Sequence, residues 1–164
     1  MRSLLFALLV VGACGGDDGP KLPGGGKADD PTVRPEPAVD WGRDLLATAV
    51  RANVESNTAS AAVTVAVSAS RALSLEVGDL EIAAVSDDVG ALEFERNGTR
   101  LDIGVPATGF EHTVVIDYSY SERDTFEGAL DNGITLIWPY HCGNLFPCIR
   151  DPAEGLCFEL ELEG

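Results

Sequence analysis

The sequence predicts an all-β protein, an antiparallel β-sandwich of about eight strands behind a disordered N-terminal tether. Three observations predict it. From Trp41 onward apolar and polar residues alternate in short runs, the period of half-buried strands. The runs are separated by clusters of Gly, Asn, Asp and Ser, the residues that make turns. No 12-residue stretch carries an apolar stripe at the helical period. An open, barrel-like roll shares the same signals and is the alternative.

The elements follow in order. An alternating run through Val50, Ala52 and Val54 meets the turn-like segment ESNTAS, residues 55–60; beyond it Ala61, Val63, Val65, Val67 and Ala69 share one face. That pair reads as a hairpin. Leu73, Leu75 and Val77 lead through Gly78-Asp79 into Leu80, Ile82 and Ala84. Leu92 and Phe94 precede Asn97-Gly98, and Leu101, Ile103 and Val105 follow it. Asn-Gly favours a two-residue type I′ turn, because both central positions need positive φ. That turn sets Phe94 opposite Leu101, Leu92 opposite Ile103 and Glu95 opposite Arg100. Phe110, His112, Val114, Ile116, Tyr118 and Tyr120 make the longest alternating run. Residues 134–138, and then Leu156, Phe158, Leu160 and Leu162, supply two further strands.

Residues 1–13 read as a secretory signal: Arg2, then an apolar run from Leu4 to Val11, shorter than the roughly 20 residues a spanning helix needs. Val11-Gly12-Ala13-Cys14 resembles the lipobox of bacterial lipoproteins. By that resemblance the signal is removed before Cys14, which is acylated and anchors the chain in a lipid bilayer of the bacterial envelope. Gly15, in place of Asp, points to the outer membrane. Residues 14–40 form the tether. Between positions 15 and 40 stand six Gly, five Pro and six acidic residues with hardly an apolar side chain, so nothing there can pack. Residues 41–164 form the folded domain.

Charge limits the partners. The 164 residues hold 27 Asp and Glu against 11 Lys and Arg, a net charge of -16, at 45% hydrophobic content. A chain this apolar buries surface, and one this acidic repels phosphate backbones, which excludes nucleic acid. The acidity lies mostly in the domain, as the outer face of its strands.

The residues offer little catalytic chemistry. The two histidines, His112 and His141, form no spaced ligand pair, and there is no phosphate loop, nucleophile elbow or HExxH. His112 shares a face with Val114 and Ile116 and reads as a hydrogen-bonded sheet residue. The unusual stretch is WPYHCGNLFPC, residues 138–148, followed by DPAEGLCFEL, residues 151–160. In an oxidising compartment Cys142 and Cys148 are expected to close a small disulfide loop. A zinc site of His141, Cys142, Cys148 and Cys157 has the right ligand types, but its spacing matches no common finger. Cys157 alternates with Glu159 and Glu161 and reads as the odd thiol, near solvent.

The strand order, together with WPYHCGNLFPC and DPAEGLCFEL, resembles the N-terminal β domain of the aminopeptidase N family of zinc metallopeptidases. The resemblance spans roughly residues 45–164 and implies a saddle-like β-sandwich packed against a catalytic domain, where it helps to wall the substrate pocket. Zinc, HExxH and the motif that binds a peptide amino terminus belong to that catalytic domain and are absent from this sequence. The chain alone is therefore expected to hold no cofactor and to hydrolyse nothing. Phe126, Leu130, Trp138, Leu145 and Phe146 are the candidates for the surface that a catalytic domain or a peptide would cover; alternatively they complete the core. The other functional reading is a free-standing lipoprotein whose sandwich binds a peptide, protein or glycan.

Overall fold

The computed structural model describes residues 34–125, 127–129, 139–149 and 157–164. Eight strands lie among them: β1 (Leu45–Asn53), β2 (Thr58–Val65), β3 (Ala72–Glu76), β4 (Glu81–Ser86), β5 (Phe94–Asn97), β6 (Arg100–Gly104), β7 (His112–Ser119) and β8 (Cys157–Glu163). A 3₁₀ helix, Pro139–Asn144, lies between β7 and β8. The strands form a five-stranded sheet, ordered β4-β7-β2-β1-β8, and a three-stranded sheet, ordered β3-β6-β5. The β-sandwich that alternation predicts is present. One pairing departs from antiparallel: β8 runs parallel to β1.

The core lies between the sheets. Val50, Val63, Val65, Val114 and Ile116 of the larger sheet share one cluster with Leu73, Leu75, Leu101 and Ile103 of the smaller, each at most 3% exposed. Burying each such side chain contributes about 1.5–3 kcal/mol. The β1–β2 hairpin is as expected, paired from Leu45↔Val65 to Asn53↔Thr58. Its turn is held by Asn53 Oδ1, which accepts the N–H groups of Glu55 and Ser56 at 3.1 and 3.0 Å, and by Asn57 at φ 54, a conformation Asn tolerates.

Three local expectations are corrected. The β5–β6 hairpin pairs Phe94 with Ile103, Glu95 with Asp102 and Asn97 with Arg100. The turn is therefore centred on Gly98-Thr99 rather than Asn97-Gly98. Gly98 alone has positive φ, 67°, which fits a turn of the II′ kind with Gly first. Two contacts favour this register: Asn97 Nδ2 reaches Asp102 at 3.3 Å, and Arg96 donates to the carbonyls of Gly98 and Gly78 at 3.0 and 2.9 Å. Secondly, a bulge between Ile82 and Ala84 resets β4, turning Val85 inward and leaving Ala84 exposed. Thirdly, β7 begins at His112, with Phe110 outside it and 73% exposed; β1 is the longest of the described strands. The strand expected at residues 134–138 lies outside the described residues.

The last residues of the segment read as a tether pack on the domain. Residues 34–40 are docked on the domain. Arg34 makes a bidentate bridge to Asp87, at 2.7 and 2.9 Å, and the Asp40 carbonyl accepts from the Ser74 N–H at 2.7 Å. A composition rich in Pro and Asp hid these two partners because each lies far off in sequence.

Candidate functional site

Of the residues the sequence singles out, His141, Cys142, Leu145, Phe146 and Cys148 lie on a loop clamped to one edge of the smaller sheet. Cys142 and Cys148 form a disulfide with a Cα–Cα separation of 6.1 Å, within the ordinary range. Inside the loop the 3₁₀ turn leads into N–H donations from Leu145 and Phe146 to the Cys142 carbonyl, at 2.9 and 3.0 Å. The loop then docks on β3. Glu76 and Cys148 exchange backbone hydrogen bonds of 2.7 and 3.0 Å, so residue 148 acts as a one-residue neighbouring strand.

Two glycines permit this approach. A Cβ on Gly143 would lie 2.7 Å from Glu76 Cγ and 2.9 Å from the Gly78 nitrogen; Gly78 itself has φ 47° and faces the Gly143 carbonyl. Tyr118 seals the back of the loop, its hydroxyl donating to the Leu145 carbonyl at 2.9 Å. Burial, and then Tyr120, push the Tyr118 phenol up, so it stays a neutral donor. On the outside, Asn144 Nδ2 donates to the Glu127 carbonyl at 2.6 Å, and Arg123 pairs with Asp79.

A second polar cluster secures the N-terminal strap. The Asp87 side chain is 1% exposed and accepts from the Arg34 fork and from the N–H groups of Val89 and Gly90; His112 Nε2 lies 3.4 Å away but is buried without a hydrogen bond, unlike the hydrogen-bonded sheet residue the sequence suggests. Burial raises its carboxyl, but the Arg34 hydrogen bonds and the two backbone donors outweigh that and hold it below the usual aspartate value. Nearby, Arg43 is 2% exposed; one nitrogen donates to the Ser70 carbonyl at 3.1 Å, while Nε and Nη2 have no partner. Burial pushes its guanidinium down against the opposing pull of Asp40.

The individual expectations fare differently. Cys142 and Cys148 are joined, so neither offers a thiolate, and Cys157 is disulfide-bonded rather than the odd thiol. His141 stands at the surface 4.0 Å from Glu127, and no cluster of three metal-binding side chains occurs among the described residues. The zinc alternative fails because oxidation consumes its ligands. Of the interface candidates, Phe126, Leu130 and Trp138 lie outside the described residues, as does Cys14. Phe146 is 9% exposed and belongs to the core, its ring 4.8 Å from that of Phe158, and Leu145 packs partly buried beside it. These two complete the core, and the exposed apolar surface lies elsewhere. Part of it is on the rim that β8 makes with the end of β1, where Phe158 is 37% exposed, Leu162 53% and Val54 48%; Val39, Trp41, Val67, Val89 and Phe110 are exposed elsewhere. Alternation placed Phe158 and Leu162 on an apolar face, but it carries no signal of whether a second sheet reaches that face.

No family model and no curated protein matches the chain. Solved structures do. The chain has the fold of the N-terminal β domain of M1 zinc metallopeptidases, the aminopeptidase N family. It is similar to the M1 zinc metallopeptidase from Deinococcus radiodurans over 74% of its own length, with 14% identity, a TM-score of 0.56 and 32% of that chain covered. It is similar to aminopeptidase A of Legionella pneumophila, in complex with aspartic acid, over 76% of its length, with 12% identity, a TM-score of 0.57 and 16% of that chain covered. For native yeast LTA4 hydrolase the figures are 79%, 19%, 0.53 and 25%. The chain thus spans at most 32% of the length of each of these proteins, and at such identities the likeness is one of fold.

Proposed function

We propose that the chain is the N-terminal, non-catalytic domain of a membrane-anchored protein related to M1 zinc aminopeptidases, where it packs on a catalytic domain and shapes substrate access. The observation that carries this reading is the fold likeness, which takes in 74% of this chain but 32% of the Deinococcus radiodurans enzyme. Zinc and peptide-bond hydrolysis belong to the catalytic domain. The rigid features described above suit a wall rather than a reacting group: a disulfide loop pinned to β3 and a strap pinned to Asp87. Acyl chains on Cys14 hold the assembly at the bacterial outer membrane.

The coding sequence that follows residue 164 tests the first part. A frame that continues, directly or after a frameshift, into an HExxH-bearing domain supports the proposal; its absence over the next few hundred codons overturns it in favour of a free-standing binding module. For the anchor, Cys14→Ser is expected to release the protein from membranes. The mass of the mature N-terminal peptide adds a sharper criterion, because a sulfur in a thioether cannot also join a disulfide. A diacylglyceryl adduct on Cys14 supports the anchor, and a peptide linking Cys14 to Cys157 removes it.

A further inference from the structure

The β5–β6 hairpin turns at Asn97-Gly98, a dipeptide with a chemistry of its own. Asn97, Gly98 and Thr99 are all exposed. The antiparallel ladder closes at Asn97↔Arg100, which leaves the Gly98 nitrogen outside it. Gly98 has φ 67°, and a Cβ built on it would meet nothing within 4 Å, so the space beside that nitrogen is open. Arg96 Nε donates to the Gly98 carbonyl at 3.0 Å and holds a cation by the same residue. The Asn97 carboxamide is itself part of the hairpin: Nδ2 donates to Asp102 Oδ2 at 3.3 Å. Asp102 is 3% exposed and also accepts from Ser74 Oγ at 2.7 Å and from Arg100 Nε at 2.9 Å.

We propose that Asn97 is a site of self-modification, at which the Gly98 nitrogen attacks the Asn97 carboxamide and the acid so formed loosens the β5–β6 turn. In the first step a bond forms between the Gly98 nitrogen and Asn97 Cγ, and the Cγ–Nδ2 bond breaks. Nδ2 leaves as ammonia with the proton that the Gly98 nitrogen gives up, and a cyclic succinimide remains. Water then opens the ring. Attack at Cγ restores the backbone and leaves aspartate; attack at the Asn97 carbonyl carbon leaves isoaspartate, with the chain running through Cγ. Water is the sole co-reactant. Attacker and target sit on adjacent residues, and glycine sets no side chain against the ring. The products act on the fold through Asp102. Either acid replaces a donor by a carboxylate facing a buried carboxylate, and Glu95, opposite Asp102 in the register, adds a further negative charge. A short relay carries the effect to the disulfide loop: the Val77 N–H donates to the Thr99 carbonyl at 2.7 Å, Arg96 Nη2 donates to the Gly78 carbonyl at 2.9 Å, and Gly78 packs on Gly143. Modification of Asn97 thus frees the corner on which that loop rests.

The test is to incubate the purified full chain warm at neutral pH, digest it, and follow the peptide that contains residue 97 by mass and by separation of isomers. That peptide is expected to gain the mass of an amide-to-acid change and to split into aspartate and isoaspartate forms. Asn97→Gln keeps the amide donor but moves its carbon away from the attacking nitrogen. It is expected to slow the change about a hundredfold, the scale of a lost near-attack geometry. Asn97→Asp installs the product from the start and is expected to speed amide exchange at Val77 about fivefold, the effect of one unfavourable cross-strand pair. The proposal is overturned if residue 97 stays an amide through an incubation that converts a free peptide of residues 94–101. It is equally overturned if aspartate forms without isoaspartate, since direct hydrolysis then accounts for it, or if Asn97→Asp leaves exchange at Val77 unchanged.

Discussion

β3 and β8 are both edge strands, each at the end of its sheet, and each alternates in sequence with a period of two. β3 carries Ser74 and Glu76 yet is buried at every position, with those two side chains 0% and 6% exposed. β8 carries Phe158, Leu160 and Leu162 yet has no fully buried position. The difference comes from neighbours remote in sequence. The strap lends the Asp40 carbonyl to the Ser74 N–H, the disulfide loop lends residue 148 to Glu76, and the two additions close the β3 edge. Nothing comparable closes β8 among the described residues. Alternation tells which way a side chain points, and long-range contacts decide whether that direction is dry.

The largest expected effect lies in the covered strand. Leu75→Ala removes a side chain that is 0% exposed between the sheets and is expected to cost about 2–5 kcal/mol. Urea unfolding followed by tryptophan fluorescence measures it. A loss below about 1 kcal/mol, the ordinary level for a peripheral site, would mean that β3 is not the covered edge described.

Opening the cover itself comes next. Replacing Cys142 and Cys148 together by Ser is expected to cost about 2 kcal/mol through the freed loop. It should also expose the β3 backbone at Glu76, so the variant is expected to self-associate at concentrations where the parent chain stays monomeric. Sedimentation velocity checks this. An unchanged monomer with parental stability would show that the strap alone closes the edge.

The strap has a pH signature. The Asp87 carboxyl is held below its ordinary value of 3.8, so its contribution is fully present above that pH and is lost as pH falls through the lower, folded value. Asp87→Asn removes the ion pair at every pH and is expected to cost about 1–2 kcal/mol at neutrality. In the parent chain, exchange of the strap amides should stay slow down to about pH 4 and rise below it. A rise beginning near pH 6 would assign the latch to another group.

How much of this the sequence disclosed follows from the range of the interactions. The β1–β2 hairpin was legible because its alternation and its Asn-rich turn are local. The β5–β6 hairpin was legible as a hairpin but not in register, since Asn97 and Arg96 settle that through Asp102 and the Gly78 carbonyl. Cys142 and Cys148 were legible from spacing. The docking of Arg34 on Asp87, 53 residues away, and the parallel entry of β8 beside β1 leave no local trace. For the same reason the sequence left open whether Phe146 is interface or core, and the structure places it in the core, while Phe158 and Leu162 are exposed.

The smallest effect sharpens the comparison most. Leu162→Ala deletes as large an apolar side chain as Leu75→Ala, from a strand with the same alternation. At 53% exposure, however, Leu162 has given up little contact with water, and no packed neighbours are left around a cavity. The expected change in stability is within about 0.5 kcal/mol, as for other surface positions. The two variants therefore differ several-fold in cost for the same atoms removed. A loss at Leu162 equal to that at Leu75 would show that β8 is already covered.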